Sequence, residues 1–149
     1  MLNEAPLIHN PAKEIIKNGG PIFGFNVFES LRPSIIKIAA QTGYNMLLVE
    51  NEHVVHNEET LTNFLVMARD NGLAPTVTAL VPDRPFVSRM LDAGALGICL
   101  SHAEEPEQVA ALARWMKYAP AGERGLAMGA NIGYAPVDAE RYCREANEA

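Results

Sequence analysis

Glu50, Asn51, Glu52 and His53 follow directly on the apolar run NMLLV, and His56 and Asn57 come three and four residues after His53. Two carboxylates and two imidazoles so close together admit three readings: a metal site, an acid–base site, or the polar end of a strand. Along a regular strand side chains alternate, so Glu50 and Glu52 share one side, and Asn51 and His53 the other. Only a bend after the strand would aim all four at one point. The zinc-protease pattern needs His-Glu-x-x-His on a helix; here the order is Glu-His-Val-Val-His after a strand, and that reading is rejected. His53, flanked by carboxylates, is the candidate general acid or base, because imidazole titrates near neutral pH. His56 reads as an exposed loop residue and Asn57 as a helix cap.

The elements that must position these residues repeat one rhythm. A short run rich in Val, Ile and Leu is followed by a helix-period segment that closes near Gly. PIFGFNVF leads to a helix through SIIKIAAQTG, with Ser30 as cap, Pro33 in the first turn and Gly43 at the stop. NMLLVEN leads to EETLTNFLVMARDNG, where Leu61, Phe64, Leu65 and Ala68 fall on one helical face and Gly72 ends it. APTVTALV leads through Asp83 to RPFVSRMLDAG, ending at Gly94. ALGICLS leads to EPEQVAALARWMKYA, where Val109, Leu112, Ala113 and Met116 form the expected buried stripe and Pro120 the stop. PAKEIIKNGG is a helical lead, PAGERGLAMGANIGYAP a Gly-rich loop, and VDAERYCREANEA a last helix. Four β/α units with uniformly apolar strands mean an α/β fold with a parallel, covered sheet. Periodicity leaves a doubly wound sheet and half of a (β/α)8 barrel both open. In either, polar residues at the carboxyl ends of the strands build the site.

The chain has 149 residues, 48% of them hydrophobic, and a net charge of −6, which suits one domain with one core. No basic stripe supports a nucleic-acid partner. No apolar stretch is long enough for a membrane span, and MLNEAPLIHNPAKEII lacks a secretory pattern. Cys99 and Cys143 have no CxxC or metal-type spacing; Cys99, in an apolar run, is expected to be buried. The reducing cytoplasm is the expected location. NGGPIFGF is not a dinucleotide fingerprint, and no P-loop lysine motif is present.

GYNMLLVENEH, RMLDAGALGICL and KYAPAGERG, in that order, resemble the HpcH/HpaI class of metal-dependent pyruvate aldolases. That family shows Asp-x-Glu-His after an apolar strand, then Leu-Asp-x-Gly-Ala, then Tyr-Pro-Pro-x-Gly-x-Arg-Gly. The resemblance implies a TIM (β/α)8 barrel, usually in a homo-oligomer, with four of its units here. It implies a reversible aldol reaction of a 2-oxo acid with an aldehyde, in which Mg²⁺, Mn²⁺ or Co²⁺ stabilises a pyruvate-type enolate. Carried over by position, His53 moves the proton and Asp92 supports it. Glu52 matches the Glu of Glu-His, and Arg124 and Gly125 match the Arg-Gly of a loop expected to shape the site mouth.

The chain departs from the family pattern in three places. Glu50, a candidate catalytic residue with His53 and Asp92, stands where Asp is common. Thr78 stands where an arginine normally grips substrate oxygens, with Arg84 further along as a possible substitute. Ser101-His102 stands where the fourth strand usually ends in Pro, which puts His102 at the same strand-end surface as a second acid–base group or substrate contact. None of the acidic residues present matches the family's metal ligands, a Glu and an Asp after later strands, so the metal site is expected beyond residue 149. The expected form is therefore the N-terminal portion of an aldolase-like barrel with an exposed apolar interior. The alternative is a non-catalytic half-barrel that binds or assembles through its open edges.

Overall fold

The computed structural model describes residues 7–81 and 83–149. Four strands, β1 (Gly24–Val27), β2 (Met46–Val49), β3 (Ala74–Ala79) and β4 (Gly97–Leu100), alternate with helices. Helix α1 (Pro11–Lys17) precedes β1. Helices α2 (Pro33–Gln41), α3 (Glu58–Asp70), α4 (Arg84–Asp92) and α5 (Pro106–Met116) each follow a strand, and α6 (Ala139–Glu148) comes last. The strands are parallel and lie in the order β1-β2-β3-β4. A doubly wound sheet reverses its order at a switch point, whereas a barrel adds each strand beside the last. Strand order therefore decides what periodicity left open.

One face of the sheet carries the core. Phe25, Val27, Leu47, Val49, Val77 and Ile98 pack against Ile36 and Ala39 of α2 and against Leu61, Phe64, Leu65 and Ala68 of α3. Each large side chain among these stabilises the fold by about 1.5–3 kcal/mol when fully buried. The α3 stripe is the one its spacing predicts, and Asn57 caps that helix by accepting from Thr60 N at 3.1 Å. Asp83 caps α4 through Phe86 N at 3.0 Å. Gly43 and Gly94 leave their helices at φ +89° and +110°, angles that other residues rarely adopt.

The opposite face alternates out of register with the first. Gly24, Asn26, Met46, Leu48, Thr76, Gly97 and Cys99 occupy it. This is the barrel's interior side, and it is small and polar as much as apolar, unlike the expected apolar interior. A Cβ at Gly97 would lie 2.7 Å from Thr76 Oγ1, so glycine lets the neighbouring threonine fit. Cys99 is exposed, not buried as expected, because it points to this side from the edge strand β4.

Two other expectations change. Ser30 does not cap α2: Pro33 opens the helix, so the N-cap falls on Arg32, which makes no side-chain bond, while Ile35 N donates to the Arg32 carbonyl at 3.0 Å. On α5, Val109 is 53% exposed and Ala113 is exposed. The face turned to α4 is instead Leu112, Trp115 and Met116, packed on Val87 and Leu91. Helix α5 stops at Met116, before Pro120, because the following loop folds back on its end. Glu123 N donates to Arg114 O at 2.7 Å and Arg124 N to Lys117 O at 2.8 Å, which satisfies carbonyls left free at the helix terminus. No helix among the described residues is long and apolar enough to cross a membrane.

Candidate active site

The strand ladder runs one residue past β2 and β4: Glu50 N donates to Val27 O and Ser101 N to Ala79 O, both at 2.9 Å. Immediately beyond, the β2–α3 loop bends, and the Glu50 side chain makes it do so. Its Oε1 accepts from the backbone N–H of Glu52 and from that of His53 at 3.0 Å. Val49 pairs with Val77, so Glu50 falls level with Thr78 on the neighbouring strand. The Thr78 hydroxyl accepts from Asn51 N at 2.7 Å and lies 3.5 Å from Glu50 Oε1. His56 closes the loop, with Nε2 donating to Glu50 O at 2.8 Å.

These contacts bear on four of the residues singled out in the sequence. Glu50, 8% exposed, and Thr78, 4% exposed, hold the loop: Glu50 Oε1 accepts from its backbone and the Thr78 hydroxyl from Asn51 N. His56 is a half-buried tie within the loop, not an exposed residue. Arg84 does not stand in for the missing arginine: Nη2 donates to Glu123 O at 2.6 Å, and Nη1 lies 3.6 Å from the Glu123 carboxylate.

The bend turns Glu52 and His53 toward the loop after β4. Glu52 Oε1 lies 2.8 Å from His102 Nε2 and 3.9 Å from His53 Nε2. A hydrogen bond from Ser101, then one from His102, holds the Glu52 carboxyl below the usual carboxylate range. His53 and His102 are 66% and 74% exposed at the side chain, whereas Glu52 is 13% exposed. His102 has φ +52°, a conformation that non-glycine residues adopt at a cost of about 1 kcal/mol or more. Two accessible imidazoles around one sheltered carboxylate can move protons at the carboxyl edge of the sheet.

The other predicted site residues lie elsewhere. Helix α4 runs from the carboxyl edge of β3 back toward the amino end of β4, and Asp92 is its last residue. Arg124 meets it there, donating from Nη2 to Asp92 Oδ1 at 2.7 Å, with its guanidinium 4.6 Å over the Tyr118 ring. Gly125 is exposed in the same loop. Within one chain, the structure does not bring Asp92, Arg124 or Gly125 to His53, because helix and strand ends alternate between the two edges of the sheet. Among the described residues no three His, Cys, Asp or Glu side chains converge to hold a metal ion, and Glu50 Oε1 and Glu52 Oε1 already accept from the partners above. The implied divalent cation thus does not fit these residues alone. The Glu52–His102 pair is what sequence reasoning missed. Its signal was the Ser-His that ends β4, but no spacing rule links it to Glu52.

Four parallel β/α units in consecutive order, with titratable groups gathered at their carboxyl edge, match half of a TIM barrel. No family model matches the chain. It is 31% identical over 120 residues to the hydroxypyruvate/pyruvate aldolase of Delftia acidovorans, covering 80% of this chain and 44% of that protein. It is 27% identical over 145 residues to the 2-keto-3-deoxy-L-rhamnonate aldolase of Escherichia coli K12, covering 96% and 53% respectively. The crystal structure of an HpcH/HpaI aldolase from Desulfitobacterium hafniense superposes with a TM-score of 0.86 at 27% identity, over 91% of this chain and 52% of that one. In sequence and fold the chain matches the N-terminal half of aldolases of the HpcH/HpaI type. It spans about half the length of the curated relatives it matches.

Proposed function

We propose that this chain contributes the proton-transfer half of an aldolase site, acting on a 2-oxo acid with a pyruvate-type enolate and an aldehyde partner. The observation that carries this reading is the pair of accessible imidazoles, His53 and His102, around Glu52 at the carboxyl edge. The relatives' names supply the substrate class: both act on 2-oxo acids. His53 is the proposed proton-transfer residue. Its ring is exposed where substrate would arrive, and its backbone is held by Glu50, so the loop is set before substrate binds. The working form is an eight-unit barrel, whose other units come from the same polypeptide or from a second copy in a homo-oligomer. A divalent metal, Mg²⁺, Mn²⁺ or Co²⁺, is the proposed cofactor, with ligands outside the described residues. Two free cysteines fit a cytoplasmic setting.

The test is His53→Ala in the complete protein, assayed for exchange of pyruvate methyl protons in heavy water and for aldol turnover. A loss of about 10²–10⁴-fold in both supports the assignment. Wild-type-like rates in the variant would remove it.

A second reading has its own observation. Thr78 replaces the substrate-gripping arginine and spends its hydroxyl on Asn51, as in a half-barrel kept for binding or assembly. It expects self-association through the open edges of β1 and β4 without Mn²⁺ binding, and a monomer by light scattering counts against it.

A further inference from the structure

His53 and His102 are not equivalent around Glu52. Only His102 is within hydrogen-bonding distance of the carboxylate, 2.8 Å against 3.9 Å. With Nε2 donating to Glu52, the neutral ring of His102 carries its lone pair on Nδ1, and no described group hydrogen-bonds that atom. A carboxylate behind an imidazole fixes its tautomer and stabilises the positive charge the ring gains on taking a proton. The backbone of His102 is held in the left-handed region, φ +52°. The side chain of Glu52 is 13% exposed and that of His102 74%, so the carboxylate is sheltered and the ring is presented.

We propose that His102, oriented by Glu52, is a second catalytic residue that transfers the proton of the aldehyde-derived oxygen, while His53 serves the carbon of the 2-oxo acid. The inference rests on the aldolase reading above. In cleavage, His102 Nδ1 takes the hydroxyl proton of the aldol as the aldehyde C=O forms. The C–C bonding pair passes to the 2-oxo acid as its enolate, and a protonated His53 returns a proton to the enolate carbon. One ring gains the proton the other loses. Exchange with water, or across Glu52, which faces both rings, restores the starting state. Condensation runs the same steps in reverse. Abstraction from an alcohol oxygen is the harder transfer, and it falls to the ring with the carboxylate behind it. Glu52 is then a positioning residue.

The experiment compares His102→Asn, Glu52→Gln and the double variant in the complete protein, using pyruvate methyl-proton exchange and aldol turnover as separate readouts. Asparagine tolerates a positive φ, so the loop backbone is retained. The expected result is a loss of about a hundredfold in aldol turnover for His102→Asn, with methyl exchange kept within about threefold. Glu52→Gln loses turnover in the same direction, and the double variant loses little more than His102→Asn, as for groups acting as a unit. A His102→Gly variant regains turnover with added imidazole, which a merely structural role would not allow. Turnover of His102→Asn within about twofold of wild type overturns the inference, as does a parallel fall of exchange and turnover, or no rescue by imidazole. A wild-type protein that catalyses neither reaction removes the aldolase reading itself. An active wild type with a silent His102 removes only this inference.

Discussion

Replacing Asp92 by alanine separates a structural carboxylate from a chemical one. Arg124, 6% exposed at its side chain, has Asp92 as its charged partner at 2.7 Å, and Asp92 is 28% exposed. Opposite charges about 4 Å apart attract by roughly 4 kcal/mol at an effective dielectric of about 20. Removing one partner of a buried pair typically costs about 3–5 kcal/mol, because the remaining charge is left in a poor medium. Here two effects lower that figure. Water reaches the partly exposed Asp92, and a carboxylate on the last turn of α4 faces the unfavourable end of the helix dipole, by about 0.5 kcal/mol. A net loss of about 2 kcal/mol remains. With a urea m-value of about 2 kcal/mol/M, the midpoint of unfolding falls by about 1 M. A double-mutant cycle with Arg124→Met assigns the loss to the pair. A midpoint change below about 0.2 M in Asp92→Ala would refute the ion-pair reasoning, and with it the placement of Asp92 as a strut at the amino edge.

Three further outcomes follow from the site and its supports. Thr78→Val removes the acceptor of Asn51 N–H and should cost about 1–3 kcal/mol, read as a lower urea midpoint together with faster amide exchange in the β2–α3 loop. Asn57→Ala removes the cap of α3 and should cost about 1 kcal/mol by the same unfolding measurement. Glu52 has its pKa lowered in the folded state from 4.5, so its bonds to Ser101 and His102 contribute stability above that pH, and the contribution is lost as pH falls through the lower folded value. Unfolding midpoints followed from neutral pH into the acid range should decline more steeply for wild type than for Glu52→Gln.

Local patterns in the sequence were enough for the elements and for the edge of the sheet where chemistry gathers. The stripe Leu61, Phe64, Leu65 and Ala68, the caps Asn57 and Asp83, and the apolar-to-polar change at Glu50 all depend on neighbours within a turn or two. Periodicity and capping are set by contacts of that range. The same local logic misplaced Val109 and Cys99, since which side of an element is covered depends on what packs there. The motif resemblance added the barrel and singled out His53, Asp92 and Arg124, and within one chain Asp92 and Arg124 lie at the other edge of the sheet from His53.

Only the tertiary structure decided how the strands are ordered, and with that whether the units build a barrel or an open sheet. Register then set Thr78 beside Glu50, 28 residues away along the chain, and so tied both to the β2–α3 loop. Helix direction set Asp92 and Arg124 together at the amino edge. The Glu52–His102 pair joins positions 50 residues apart, once strand pairing has set the two loops side by side and Glu50 has bent the first of them. The sequence by itself determined which residues have the chemistry and which local element carries each. Their meeting was decided by strand pairing and loop closure, because a hydrogen bond between distant segments depends on the positions of both backbones, and neither segment encodes the other's.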